Sequence, residues 1–498
     1  MHRRRIRSAA AAALLLAVTA VVAIPAGTAQ AKPIQETFSI TLASAAFGNF
    51  HYHHRNSRLN VIQSNQIHQQ AMAIDVRQND SLVAEFDFSS REDSGKYLEV
   101  GHYGDAQRHP FEETGRPGIS IHSFGFCNDQ SGDFEVRDIQ RNGPAIERLW
   151  ITFQRYCDGL EPMFGELRLG YPDAAYEVAP RNVRLPGATY PTTPDTDVPV
   201  TVRSTSGTPV DVTSVAIVGP HAAEFPIRRN GCTATLTTSG CVVTVGFIPK
   251  APGPRHAELK VTTTAGDTSV SLDGAGAQGV SEWVVDVGSP DQRVLPYAAA
   301  RGGPYRLETQ AFEPDDTIRN ARFYYENAQR LTKGRHVYAN GSGLRMWPSY
   351  GSAACVVTSG TVDIFDLGFT GPDEELALLD LEMNVTCEGG LGDRIRMRFH
   401  DRDDLTPPAA VTGLRATRTA DGVTLDWANP ADAGLAGVVV RWYAGGVPPT
   451  AVDAGTWAYT GTGNTTGFAV PATVPVAASV WAYDTAGNLS PAASVLVG

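Results

Sequence analysis

His51-Tyr52-His53-His54 is the densest group of side chains able to hold a metal ion. Alternate residues of a strand share a face, so His51 and His53 would present two imidazoles together. Two ligands do not complete a site. No Cys or carboxylate stands at a spacing that would add a third, and the group reads as a solvated or partly packed histidine patch. Asp401-Arg402-Asp403-Asp404 offers carboxylates that could bind Ca²⁺ but lacks the ligand spacing of a calcium loop, so it reads as a charged linker. Trp347-Pro348-Ser349-Tyr350 follows Gly341-Ser342-Gly343 and reads as a loop. An exposed ring there would stack on the apolar face of a pyranose, which makes Trp347 and Tyr350 candidate glycan contacts. The competing reading is that Trp347 closes the bottom of a core.

Catalytic signatures have no support. There is no Gly-x-Ser-x-Gly elbow in a strand-to-helix setting, no His-Glu-x-x-His, no phosphate loop and no dinucleotide fingerprint. A carboxylate pair for glycoside hydrolysis is defined by its separation in space, and with 53 Asp and Glu some pair always exists. If the chain is an enzyme, a glycosidase is the leading class. No cofactor is expected.

The elements that would position these side chains are strands. With 49 Gly, 32 Pro and many Val and Thr, the chain reads as short strands and turns without sustained 3.6-residue periodicity. Leu82-Val83-Ala84-Glu85-Phe86-Asp87-Phe88 and Leu149-Trp150-Ile151-Thr152-Phe153 alternate as half-buried strands do. The fold class is all-β, and 498 residues suggest about three to four domains. The first residues carry a basic segment (Arg3, Arg4, Arg5, Arg7), an apolar run from Ala9 to Ile24 and a small-x-small site at Ala29-Gln30-Ala31. That is the pattern of a signal peptide over 1–31, with a mature chain from about Lys32. No later stretch is apolar enough to serve as a membrane anchor. The net charge of -12 is spread along the chain and argues against a nucleic-acid partner.

Six cysteines in an exported chain are expected to pair, with fifteen connectivities open in principle. Internal repetition narrows them. Cys127, Ser131-Gly132-Asp133-Phe134, Val136, Asp138-Ile139, Cys157 and Gly165-Glu166-Leu167-Arg168 match Cys355, Ser359-Gly360-Thr361-Val362, Ile364, Asp366-Leu367, Cys387 and Gly392-Asp393-Arg394-Ile395-Arg396. Upstream, Tyr103-Gly104-Asp105-Ala106-Gln107-Arg108 is matched to Tyr325-Glu326-Asn327-Ala328-Gln329-Arg330. Two copies of one β module are expected, at 34–176 and 279–403. The pairings expected are Cys127 with Cys157, Cys232 with Cys241 and Cys355 with Cys387, each inside one module. Closing such a loop stabilises by about 3 to 4 kcal/mol on the loop-entropy account. Gln107, Arg108, Gln329 and Arg330 are candidate ligand contacts, although side chains bridging an irregular backbone would recur just as faithfully.

The duplicated segments resemble an uncharacterised bacterial exported module with a Tyr-x-x-Ala-Gln-Arg motif, a resemblance that implies no activity. Tyr190-Pro191-Thr192-Thr193-Pro194-Asp195 lies in a Pro/Thr linker placed at 177–196. Residues 197–276 resemble the choice-of-anchor, hydin-like immunoglobulin module. That resemblance rests on Phe225, Cys232, the run Gly240-Cys241-Val242-Val243-Thr244-Val245-Gly246-Phe247-Ile248-Pro249, Leu259-Lys260-Val261 and Leu272-Asp273-Gly274-Ala275-Gly276. Val243, Val245 and Phe247 fall on one face. Residues 406–498 resemble a fibronectin type III module, through Thr406-Pro407-Pro408, Val423-Thr424-Leu425-Asp426-Trp427, Val438-Val439-Val440-Arg441-Trp442-Tyr443 and Val480-Trp481-Ala482-Tyr483-Asp484. The Gly/Thr-rich run Gly461 to Thr466 leaves its strand boundaries open.

The sequence therefore predicts a string of four β-sandwich domains in a secreted, non-catalytic surface or matrix protein. Glycans or other envelope proteins are the partners it would suit. The alternative is an accessory, carbohydrate-binding component or unrecognised glycosidase of extracellular polysaccharide degradation, which rests on resemblance alone.

Overall fold

The computed structural model describes residues 37–498 apart from short internal segments, of which 64–70, 91–96, 158–162, 190–196, 287–292 and 339–343 are the longest. Between 277 and 356 it describes backbone, with side chains only at 330–338. The signal-peptide segment, Trp347, Gln329 and Cys355 lie outside the described residues. No described helix is long and apolar enough to cross a membrane.

The first module is one sheet of ten strands: β1 (Phe38–Ser44), β2 (Gly48–His53), β3 (Arg58–Gln63), β4 (Ala71–Gln78), β5 (Ser81–Ser89), β6 (Gly101–Arg108), β7 (Gly118–His122), β8 (Gln130–Asn142), β9 (Ala145–Cys157) and β10 (Met163–Leu169). Their order is β2-β1-β10-β9-β8-β6-β7-β5-β4-β3. Local chemistry explains the hairpins. Asn79 and Asp80 both take positive φ, 49° and 62°, the conformation that a two-residue turn matched to strand twist demands. The sheet folds over on its apolar face. Phe88 on β5 sits 5.2 Å from the ring of Phe134 on β8 and 5.7 Å from Phe153 on β9, although two other strands separate β5 from β8 within the sheet. Ile40, Leu42, Ile74, Phe86, Val136, Ile151 and Leu167 complete this core. The Cys127–Cys157 bridge forms as expected, with Cα atoms 5.6 Å apart.

The immunoglobulin-like module is a sandwich of two sheets. One holds Tyr176–Ala179, Val198–Ser204, Cys241–Val245 and Ile227–Asn230; the other holds Asn182–Arg184, Gly266–Ala277, Gly253–Thr263 and Val212–Val218. The linker expected at 177–196 is corrected here. Tyr176–Ala179 pairs with Val198–Ser204, and Asn182–Arg184 runs parallel to Gly266–Ala277. Tyr176, Val178 and Val183 belong to the apolar core, which is why this stretch cannot stay extended in water. The Pro/Thr run 190–196 is not described. Val243, Val245 and Phe247 are buried on one face as read, Phe225 and Phe247 stack at 4.8 Å, and Cys232–Cys241 is bridged.

The second copy reproduces half of the first. Its strands Gly334–Tyr338, Val357–Thr370, Glu375–Cys387, Gly392–Asp401 and Val280–Asp286 follow one another as β6, β8, β9, β10 and β1 do. This register corrects the upstream match. Gly101 pairs with Val136 in the first copy and Gly334 with Ile364 in the second, so β6 corresponds to Gly334–Tyr338 and not to the segment ending in Tyr325 and Arg330. The equivalent anchors are Leu98 and Leu331, each buried three residues ahead of the paired glycine. The shared Tyr-x-x-Ala-Gln-Arg letters therefore occupy different places.

The fibronectin-like module packs a three-stranded sheet (Thr412–Arg418, Gly422–Ala428, Thr465–Ala469) against a four-stranded one (Thr456–Gly461, Leu435–Ala444, Val476–Asp484, Ala493–Val497). The Gly/Thr-rich run turns between Thr456–Gly461 and Thr465–Ala469. Trp427 is buried in the core as expected, its indole N–H donating to Asn429 Oδ1 at 2.8 Å.

Candidate functional site

The polar side chains of greatest interest lie where modules meet. At the end of β2 the chain leaves the strand, and Asn56 fixes the bend by accepting the His53 N–H at 3.1 Å, while the Asn56 and Ser57 N–H groups donate to the His53 carbonyl at 2.9 Å. The bend breaks the strand alternation. His54 consequently turns to the same side as His53, with ring centroids 4.1 Å apart, and His51 lies 5.7 Å from His53.

The carboxylates that local spacing did not supply come from the start of the immunoglobulin-like module. Asp173, between β10 and Tyr176–Ala179, lies 3.5 Å from His53 Nε2 and 3.4 Å from His54 Nε2, and Arg55 Nη2 donates to it at 2.7 Å. Glu177 takes His51 Nε2 at 3.1 Å and the Ser39 hydroxyl, and Arg55 also reaches the Thr205 carbonyl. The histidine patch is thus a His/Asp/Glu cluster whose carboxylates stand far from it in the sequence. Burial and the neighbouring His54 push His53 down to about 4, so its ring is neutral at ordinary pH. Burial opposes ionisation of Glu177, but the hydrogen bond and charge of His51 with the Ser39 hydroxyl outweigh it and hold the carboxyl at about 2. Behind them Glu166 on β10 accepts the Arg181 N–H at 2.6 Å; burial pushes it up to about 7 against the pull of Arg181 and Arg168. His53, His54 and Asp173 are the described residues grouped closely enough to share an ion.

A second seam joins three modules. Glu135 on β8 is 1% exposed, yet both of its oxygens are satisfied. Oε1 accepts from Tyr443 O–H at 3.0 Å, the Gly455 N–H at 2.9 Å and Arg137 at 3.1 Å; Oε2 accepts from Arg184 at 2.8 Å and Asn182 at 3.2 Å. Burial favours the neutral acid here, but Arg137, Arg184 and the Gly455 amide hold the pKa below the ordinary carboxylate value. Nearby, Asp273 of the immunoglobulin-like module binds His256 Nδ1 at 2.8 Å and Arg441 of the fibronectin-like module, and His256 stacks on Trp457 at 4.3 Å. The last module in sequence therefore docks on the first two.

The other sequence candidates separate. Gln107 is buried, and its backbone N–H donates to the Pro117 carbonyl at 2.9 Å. Arg108 lies over the ring of Phe111 at 4.9 Å, and Phe111 is 70% exposed. Arg330 is exposed beside Phe369 at 5.7 Å. Tyr350 lies in the strand Ser349–Tyr350, its side chain not described. Asp404 accepts the Thr406 N–H at 3.0 Å and its carbonyl takes Asn488 at 3.1 Å, while Arg402 and Asp403 lie outside the described residues. Asp87, which sequence reading did not single out, is raised to about 7 by burial and by Glu85. His122 approaches Ser120 Oγ at 2.8 Å, but Ser120 is fully buried and out of reach of a substrate.

No family model and no curated protein matches the chain. Among solved structures it is similar to the Clostridium perfringens spore cortex lytic enzyme SleM, at 23% identity and TM-score 0.16 over 22% of this chain and 33% of that one. It is also similar to a set of titin domains, at 12% identity and TM-score 0.18 over 65% and 99% of the two chains. The FN1–FN3 domains of chicken CNTN1 are similar at 10% identity and TM-score 0.19 over 63% and 98%. The chain spans only a third of the lytic enzyme's length. At TM-scores of this size none of these likenesses decides fold or function.

Proposed function

We propose that this chain is a secreted, non-catalytic, multi-domain surface or matrix protein, in which the first β module, the immunoglobulin-like module and the fibronectin-like module act as one docked unit. The observation that carries the reading is Glu135, a buried carboxylate whose five donors come from all three modules. Buried, fully hydrogen-bonded charge specifies one geometry better than it adds net stability, which suits a spacer that must present surfaces at fixed angles. Fractionation of the producing cell tests the compartment. The mature chain is expected in medium or envelope, and its recovery from cytosol would sink the proposal.

A second reading, a carbohydrate-binding accessory protein, draws on the exposed Phe111 ring with the Arg108 guanidinium against it, a platform suited to a sugar face. Incubation with soluble and insoluble glycans, reading both pull-down and reducing ends, separates the cases. Binding lost in Phe111→Ala supports the accessory role, release of reducing ends supports a glycosidase, and neither leaves the scaffold.

A further inference from the structure

We propose that His53, His54 and Asp173 form a binding site for a zinc-class divalent ion that pins the bend after β2 to the segment entering the immunoglobulin-like module. The distances carry it. In a tetrahedral zinc site with metal–nitrogen and metal–oxygen bonds of about 2.0 to 2.2 Å, neighbouring ligand atoms stand roughly 3.3 to 3.5 Å apart. His53 Nε2 already lies 3.5 Å from Asp173 Oδ1 and His54 Nε2 3.4 Å from Asp173 Oδ2, so each imidazole stands at ligand spacing from one carboxylate oxygen. One ligand atom from each of the three residues falls within 4.8 Å of the others, the spread left for an ion to close.

The surroundings fit. A cleft of about 30 Å³, room for roughly one water, is lined by His53 and Asp173 and would admit the ion's remaining solvent ligand. His54 Nδ1 is buried without a hydrogen-bond partner among the described residues, so it can take the ring proton and free the Nε2 lone pair, now 3.4 Å from Asp173, for the ion. His53 must move its proton to Nδ1, which gives up a long 3.3 Å bond from the Arg55 N–H. Arg55 can remain on Asp173 Oδ2 while Oδ1 binds metal, the outer partner that commonly orients a ligating carboxylate. Two imidazoles and one carboxylate suit zinc and its neighbours and disfavour Ca²⁺ and Mg²⁺, which prefer all-oxygen shells.

The test uses the untagged mature chain after chelator dialysis, titrated with ZnCl₂ at pH 7.5 by calorimetry and by thermal melting. One equivalent is expected to bind and raise the melting midpoint, while CaCl₂ does neither. His54→Gln and the near-isosteric Asp173→Asn should each weaken binding at least about tenfold, the lower end of what even outer partners of a metal contribute. His336→Gln, on the second copy, should leave it unchanged. Absence of saturable zinc binding, or binding equally tight in both ligand variants with native circular dichroism, overturns the proposal.

Discussion

Replacing Glu135 by Ala removes the one acceptor that five donors from three modules share. Arg184, whose side chain is 12% exposed, keeps Asp453 at 3.8 Å as its ion-pair partner among the described residues. Summing five charged hydrogen bonds would overshoot, because the desolvation of Glu135 is recovered when it is deleted. Breaking a buried pair from one side costs about 3 to 5 kcal/mol, and about 4 kcal/mol is roughly a thousandfold in an equilibrium constant. The loss should fall on docking, since Trp427 and the rest of the fibronectin-like core are untouched. Scanning calorimetry is therefore expected to show the fibronectin-like module leaving the shared transition, and hydrogen exchange to show the Gly455 amide losing protection. Tyr443→Phe, which deletes one O–H donor and keeps the ring, should cost about 1.5 to 3 kcal/mol. Adding Arg184→Met to Glu135→Ala should recover part of the loss, because the stranded cation goes with its partner. The acid limb adds a sign. Glu135 titrates below its ordinary value in the folded protein, so its contribution is present above the unfolded carboxylate pKa and disappears as pH falls through the folded one. An unchanged calorimetric profile in Glu135→Ala, or a double variant no better than the single, would refute the view that this carboxylate joins the modules.

Glu166→Gln is expected to stabilise at pH 8 and to be near neutral at pH 4. The folded pKa of about 7 lies above the unfolded value, so the buried acid favours folding in its protonated form and the charged form costs up to about 3 kcal/mol once pH exceeds 7; urea melts at the two pH values read the difference. Arg441→Ala leaves Asp273, whose side chain has no exposed surface, with His256 and the Ser271 hydroxyl alone, and should lower the same docking transition by about 1.5 to 3 kcal/mol in calorimetry. Non-reducing peptide mapping should recover the Cys127–Cys157 and Cys232–Cys241 peptides together with the expected Cys355–Cys387 peptide. A peptide joining cysteines of different modules would overturn the modular reading.

Much of the architecture was legible in the chain because its signals are local. Alternation in Leu82 to Phe88 and in Val243 to Phe247 names strands and their buried faces without reference to a partner. Cysteines spaced within one module, and Trp427 inside an apolar strand, needed no more than that. The failures share a cause. Tyr176 to Arg184 looks like linker beside a Pro/Thr run, yet its apolar residues complete a sandwich whose other strands come later. The Tyr-x-x-Ala-Gln-Arg match follows letters, whereas strand register equates β6 with Gly334–Tyr338.

By itself the sequence determined an all-β chain, two of the bridges now seen and the histidines worth watching. Only the tertiary structure decided what those histidines face and where the last module sits. Glu177 lies 126 positions from His51, and Tyr443 lies 308 positions from Glu135. No periodicity spans such separations. These contacts form because burying apolar faces brings distant segments together, and each buried charge carried along must then find its counter-charge and donors in whatever module arrives beside it.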